Sequence, residues 1–147
     1  MAAQKYKFEL KNDLSELKSL NRHLENWGIE NGLRPDSILR INICLDELFT
    51  NIVSYGFEDD LEHTVKFSIK ADNRFLTIDI EDDGIPFNPL KKIDPDFPAN
   101  VESAKIGGLG ILIIRKLIDN ISYERKRGIN KLTMKKFIQE GNQKPKQ

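Results

Sequence analysis

Apolar residues follow two different periods along the chain, and the switches between them divide it into elements. In residues 5–10, Tyr6, Phe8 and Leu10 alternate with Lys5, Lys7 and Glu9, the period-two pattern of a half-buried strand. Asp13, with Glu16 three residues on, reads as a capping box that opens a helix. Leu14, Leu17, Leu20, Leu24 and Trp27 then recur at helical spacing until Gly28 and Asn31-Gly32 end it. Pro35-Asp36-Ser37 opens a second helix, with Ile38, Ile41, Leu45, Leu48 and Ile52 as its apolar stripe and an end near Tyr55-Gly56. Alternation returns with Val65, Phe67 and Ile69, turns at Asp72-Asn73, and continues through Leu76, Ile78 and Ile80 to a break at Asp83-Gly84.

Residues 85–106 show neither period and contain Pro86, Pro89, Pro95 and Pro98. A connection of this length inside one domain is usually functional, and here it predicts a lid. A glycine cluster follows and leads into an apolar helix over 111–118. Two last strands are predicted over 121–126 and 132–138, joined at Arg127-Gly128-Ile129-Asn130. Paired hairpins rather than alternating single strands predict an α+β two-layer sandwich, with three main helices on one face of a mixed, mostly antiparallel sheet.

Composition narrows the picture. A chain of 147 residues suits one domain. Residues 1–140 are expected to form it, with 141–147 as a disordered tail. Net charge is +0 and the basic residues form no long block, which argues against direct nucleic-acid or membrane partners. One cysteine, Cys44, allows no internal disulfide and fits a reducing compartment. With no apolar signal core and no long apolar run, the expected location is cytoplasmic.

Three segments carry candidate chemistry. Glu47 and Asn51 stand four apart on the second helix, hence one turn apart on one face, at the edge of the apolar stripe. A half-buried carboxylate and amide need partners. A Mg²⁺ ion and a polar ligand would supply them, with the Asn51 amide oxygen on the metal and Glu47 as base; an exposed pair on a solvated flank is the plainer alternative. Asp82 continues the inward row of Leu76, Ile78 and Ile80. It suits the amino group of a purine, with Gly84 allowing close approach of a base and Pro86 and Phe87 forming a wall; a local Asp-Asp-Gly turn is the equal alternative. Gly107, Gly108, Leu109 and Gly110 precede an apolar helix, an arrangement that cradles anions. It matches neither the Rossmann fingerprint nor a P-loop. His23 reads as a surface or interface residue, Cys44 as a small core residue, and His63 resembles no metal site. Lys105 and Arg115 flank the glycines and read as solvated charges, with contact to a phosphate as the alternative.

Taken together and in this order, the segments resemble the ATPase superfamily of gyrase, heat-shock chaperones, histidine kinases and mismatch-repair proteins. Within it they look most like the small anti-sigma-factor serine kinases. Leu45-Asp46-Glu47-Leu48-Phe49-Thr50-Asn51 resembles their N box, Glu81-Asp82-Asp83-Gly84-Ile85-Pro86-Phe87-Asn88-Pro89 their first glycine box, and Gly108-Leu109-Gly110-Ile111-Leu112-Ile113-Ile114-Arg115 the second. Pro86 departs from the wider superfamily, and Asn88 stands where the branch often has an acid. The resemblance implies the histidine-kinase-like ATPase fold, with Asn51 on Mg²⁺, Glu47 as general base, Asp82 on adenine and the 107–110 loop on the phosphates of ATP. It implies transfer of the γ-phosphoryl group to a serine of an anti-anti-sigma antagonist, control of a sigma factor by partner switching, and a homodimer. Two other readings are a non-catalytic ATP-dependent binding module and a detached histidine-kinase ATPase domain. The last lacks a phosphoacceptor, since neither His23 nor His63 sits in a His-Glu context followed by proline.

Overall fold

Strand alternation and helix stripes are both satisfied in a computed structural model that describes residues 5–92 and 108–138. The strands are β1 (Tyr6–Lys11), β2 (Thr64–Ala71), β3 (Phe75–Asp82), β4 (Asn120–Lys126) and β5 (Ile129–Phe137). They form one sheet in the order β1-β2-β3-β5-β4. Every pairing in it is antiparallel, so the mixed character expected of the sheet is absent among the described residues. The helices are α1 (Leu17–Glu30), α2 (Pro35–Tyr55) and α3 (Gly108–Leu117).

Register makes one face oily and the other wet. On the inner face Phe8, Phe67, Ile80, Leu132 and Tyr123 oppose one another in turn across all five strands. The neighbouring outer row reads Glu9, Lys66, Glu81, Lys131, Glu124, alternating in sign from edge to edge. Cross-strand opposite charges favour this register, and a one-residue slip would drive the whole row into the core.

The helices cover the inner face. α2 is the central one and buries Ile38, Ile41, Cys44, Leu45, Leu48, Phe49 and Ile52. It also buries Asn42, whose Oδ1 accepts from Asn21 Nδ2 on α1 at 3.0 Å; the same amide donates to Asp46 Oδ1 at 2.8 Å. A polar clamp thus sets α1 against α2 where a purely apolar seam could slide. Burial raises the Asp46 carboxyl from its ordinary value, and the Asn21 bond works against that rise. Cys44 is in the core as expected, its thiol pushed up by burial to about 12.

Four local expectations change. Asp13 caps a 3-10 turn, Leu14–Glu16, and α1 starts only at Leu17. Glu16 accepts from Lys11 N–H at 3.0 Å, outside the reciprocal pattern of a capping box. His23 is half-buried beneath α1, stacked on Phe8 with centroids 3.9 Å apart, its Nδ1 2.6 Å from Tyr6 Oη. The last hairpin turns on Arg127 and Gly128 alone, both at positive φ (53° and 79°), as a two-residue turn requires. Ile129 and Asn130 therefore belong to β5. Of the expected lid, residues 85–92 are described and end in a 3-10 turn, Pro89–Lys92; the rest of it, Gly107 and the 141–147 tail lie outside the described residues. No described helix is long and apolar enough to cross a membrane.

Candidate functional site

α2 brings the first pair together. Asn51 is buried, and its Nδ2 donates to Glu47 Oε2 at 3.2 Å. The Asn51 amide oxygen has no hydrogen-bond partner among the described residues, yet no fully enclosed side-chain polar atom there is unpartnered, so it keeps an outlet toward solvent. This is the hard oxygen donor that a magnesium ion takes. No described cluster of three or more His, Cys, Asp or Glu side chains could hold a metal by itself. A cation held jointly by one amide oxygen, nucleotide phosphates and water needs none, so the donor set fits Mg²⁺.

The glycine segment meets this pair from above. Gly108 and Gly110 form the first turn of α3, where a loop ahead of the helix is the sequence expectation. A Cβ on Gly110 would lie 2.1 Å from Glu47 Cδ, so the helix start rests directly on the carboxylate. Only glycine permits that approach without displacing Glu47. The first N–H groups of a helix lack partners within it and favour anions, which puts positive polarity beside Glu47 and Asn51. Arg115 lies at the opposite end, exposed in the last turn, where a cation suits the helix dipole.

β3 ends in the third group. Asp82 is 6% exposed and continues the inward row, as its position after Ile78 and Ile80 predicts. Its Oδ1 accepts from Gly84 N–H at 2.8 Å and from Asn130 Nδ2 at 3.0 Å. Burial raises its carboxyl from the ordinary value, and these two bonds resist the rise. Glycine at 84 also has a packing reason, apart from the expected approach of a base. A Cβ there would stand 2.1 Å from the Gly56 carbonyl oxygen at the end of α2, and Ile85 N–H donates to that oxygen at 2.9 Å. The Asp82 turn is thereby fastened to the helix that carries Glu47 and Asn51. Pro86 is exposed, whereas Phe87 is half-buried and tilted against Tyr55 at 6.1 Å. Asn88 accepts from Leu90 N–H at 2.9 Å and so caps the 3-10 turn Pro89–Lys92.

Sequence reasoning missed three residues. Asn130 lies directly opposite Asp82 in the β3–β5 register and is 3% exposed. Its Nδ2 also donates to the Ile85 carbonyl at 2.8 Å, and its Oδ1 accepts from Tyr123 Oη and from Arg125 Nη1. Arg125 further donates to the Gly84 carbonyl at 3.0 Å. Stepping back by two from Met134 and Leu132 would have put Asn130 on the inner face. Reading Arg127 to Asn130 as one turn hid that signal.

His63 sits at the outer side of this turn. Its Nε2 is 2.8 Å from Asp59 and its Nδ1 3.0 Å from Asp83, with the ring stacked on Phe57 at 4.5 Å. The hydrogen bond to Asp59 raises the imidazole above its ordinary value, burial opposes it, and the bond to Asp83 adds to it. Glu62, His63, Lys66, Glu81, Asp82 and Asp83 line a shallow cavity of about 300 Å³ here, and no metal-holding group of three occurs among the described residues.

The deciding comparison is a match of residues 10–136 to the model of the histidine kinase-like ATPase domain. The chain belongs to this family. It is 34% identical over 113 residues to the serine-protein kinase RsbW of Bacillus cereus, across 74% of this chain and 69% of that one. It is 28% identical over 94 residues to the serine/threonine-protein kinase BtrW of Bordetella bronchiseptica, across 64% and 66%. The chain thus spans about two thirds of the length of these relatives. Among solved structures it resembles the RsbU and RsbW domains of a Mycobacterium tuberculosis protein, with a TM-score of 0.62 and 14% identity, covering 91% of this chain and 32% of that one. It also resembles the SiaB-SiaC complex of Pseudomonas aeruginosa, with a TM-score of 0.55 and 16% identity, covering 90% and 89%. These two likenesses show the fold, an α+β ATPase architecture with three helices on an open antiparallel sheet. The family is an ATP-binding one, and its curated relatives here are RsbW-type protein kinases.

Proposed function

We propose that the chain is an ATP-dependent serine-protein kinase of the RsbW type. It acts on the serine of a small anti-anti-sigma antagonist and controls a sigma factor by exchange of partners, as a cytoplasmic homodimer. The observation that supports this most is the contact of α3's glycine turn with a carboxylate already bonded to Asn51. A carboxylate, the amide bonded to it and a helix start lie together here, which supports a γ-phosphoryl transfer site.

In this reading Asp82 takes the adenine amino group and the 107–110 segment takes the phosphates. Asn51 holds Mg²⁺ through its amide oxygen. When bound, the metal neutralises charge on the phosphates, and positioning supplies the rest of the catalysis. Glu47 accepts the proton of the serine hydroxyl as its oxygen bonds to the γ-phosphorus. The bond from that phosphorus to the bridging oxygen breaks, and ADP leaves. The Asn51 bond orients Glu47, and the closely packed glycine turn leaves no room for it to swing toward α3.

The test is incubation of the chain with MgATP and a serine-bearing antagonist protein, with phosphoserine read by mass spectrometry. Stoichiometric phosphoserine is expected from the wild type. No transfer, or equal transfer by Glu47→Gln, would sink the reading. Nucleotide-dependent partner binding without transfer would leave a binding module in its place.

A further inference from the structure

The turn that follows Asp82 has almost none of its hydrogen-bonding capacity left. Gly84 N–H is taken by Asp82, and Ile85 N–H by the Gly56 carbonyl. The Gly84 carbonyl accepts from Arg125 and the Ile85 carbonyl from Asn130. Asp82 Oδ1 already accepts two bonds, from Gly84 and Asn130. Asp82 Oδ2 has no partner among the described residues, and it is not sealed, because no fully enclosed side-chain polar atom there goes unpartnered. Among the described side-chain atoms of this corner, Asp82 Oδ2 is the acceptor left for a ligand.

Asn130 fixes which way that acceptor points. An amide has two N–H bonds to donate and two lone pairs to accept with, and Asn130 uses all four. Two acceptors, Asp82 Oδ1 and the Ile85 carbonyl, face its nitrogen, while two donors, Tyr123 Oη and Arg125 Nη1, face its oxygen. Flipping the amide would set its oxygen against the two acceptors and its nitrogen against the Arg125 donor, so it has one orientation. Saturated in this way, Asn130 touches no base itself and acts through Asp82.

Resting on the adenine role proposed for Asp82, we propose that Asn130, braced by Tyr123 and Arg125, is the positioning residue that makes this site select 6-amino over 6-oxo purines. An exocyclic amine donates to Asp82 Oδ2. A 6-oxo group there sets acceptor against acceptor, leaving both unpaired in a buried place. Sites built on a required hydrogen bond reject ligands lacking it strongly. Without Asn130, Asp82 can turn about its side chain. Selectivity then narrows.

The experiment is calorimetric titration of the full chain with ATP and with inosine triphosphate, whose base has a 6-oxo group and an N1–H in place of adenine's 6-amino group and bare N1. The wild type is expected to prefer ATP by about 100-fold. Asn130→Ala is expected to narrow that ratio about tenfold, the worth of one buried bond to a charged group. Tyr123→Phe, which keeps the ring, is expected to narrow it about threefold. A purely structural role for Asn130 would weaken both nucleotides by one factor and leave the ratio unmoved, which would overturn the proposal. A wild type that binds both equally would overturn it too, while leaving ATP binding intact. A wild type that binds neither would overturn the nucleotide reading itself. If Asn130→Ala fails to fold, the Tyr123→Phe ratio decides alone.

Discussion

The two ends of the proposed nucleotide site are built on opposite plans. At the Asp82 end a network of hydrogen bonds joins Asp82, Gly84, Ile85, Asn130 and Arg125 among the described residues, and β3, β5, β4 and the end of α2 all contribute. At the Glu47 end a single 3.2 Å bond joins two side chains, the Asn51 oxygen stays open, and the α3 glycine turn merely rests on the carboxylate. Groups saturated in advance cannot adapt, so the first end is suited to choosing a base. Groups left open must be completed by something else, so the second is suited to a metal and phosphates that come and go. In the proposed reading, pre-organisation stands where selection is needed and spare valence where chemistry is.

Substitutions can break this contrast, and the largest effect belongs to the open end. Glu47→Gln should lower phosphoryl transfer about 10²–10⁴-fold, the usual worth of a general base, while ATP affinity by calorimetry stays near wild type. An equal fall in both would mean that Glu47 serves binding alone. Next comes the saturated end. Gly84→Ala puts a methyl 2.1 Å from a backbone oxygen, where nothing can swing aside. It should cost about 1–3 kcal/mol in denaturant unfolding, the range of an overpacked site. Gly110→Ala meets only the end of the Glu47 side chain, so it should lose transfer activity rather than stability. The reverse pattern in these two glycines would refute the contrast.

Smaller effects sharpen it. Asn51→Ala should abolish the gain in ATP affinity that Mg²⁺ confers, about tenfold, with little change in metal-free binding. A retained magnesium response would remove Asn51 from the metal. The smallest effect concerns His63, which ties the loop after α2 to Asp83. Its imidazole lies above the ordinary value, so its contribution to stability is complete below about pH 6.5 and fades as pH rises through the folded-state value. The wild-type melting temperature should therefore decline slightly across that window, and His63→Gln should flatten the decline. The effect is small because Asp59 and Asp83 are 49% and 58% exposed and solvent screens them. A melting temperature that rises over the same window would reverse the assigned sign.

Much of this molecule was legible in the order of its residues. Period-two runs located the five strands, the α2 stripe located the central helix, and Asp82 continued an inward row because side chains alternate along any strand. Glu47 and Asn51 had to share a face because helical residues four apart always do. Such regularities are local, and the chain carries them wherever it folds.

The partnership of Asp82 with Asn130 is of another kind. Forty-eight positions separate the two, and they meet only because β3 pairs with β5 in one register and the hairpin turns on two residues instead of four. The contacts of Gly84 with Gly56, and of Gly110 with Glu47, likewise depend on how helices are laid on the sheet. Pairing and packing minimise the energy of the whole chain at once, and no window of neighbouring residues contains that sum. The sequence by itself therefore determined which groups were available, and the tertiary structure alone decided which were already bonded and which were left for a ligand.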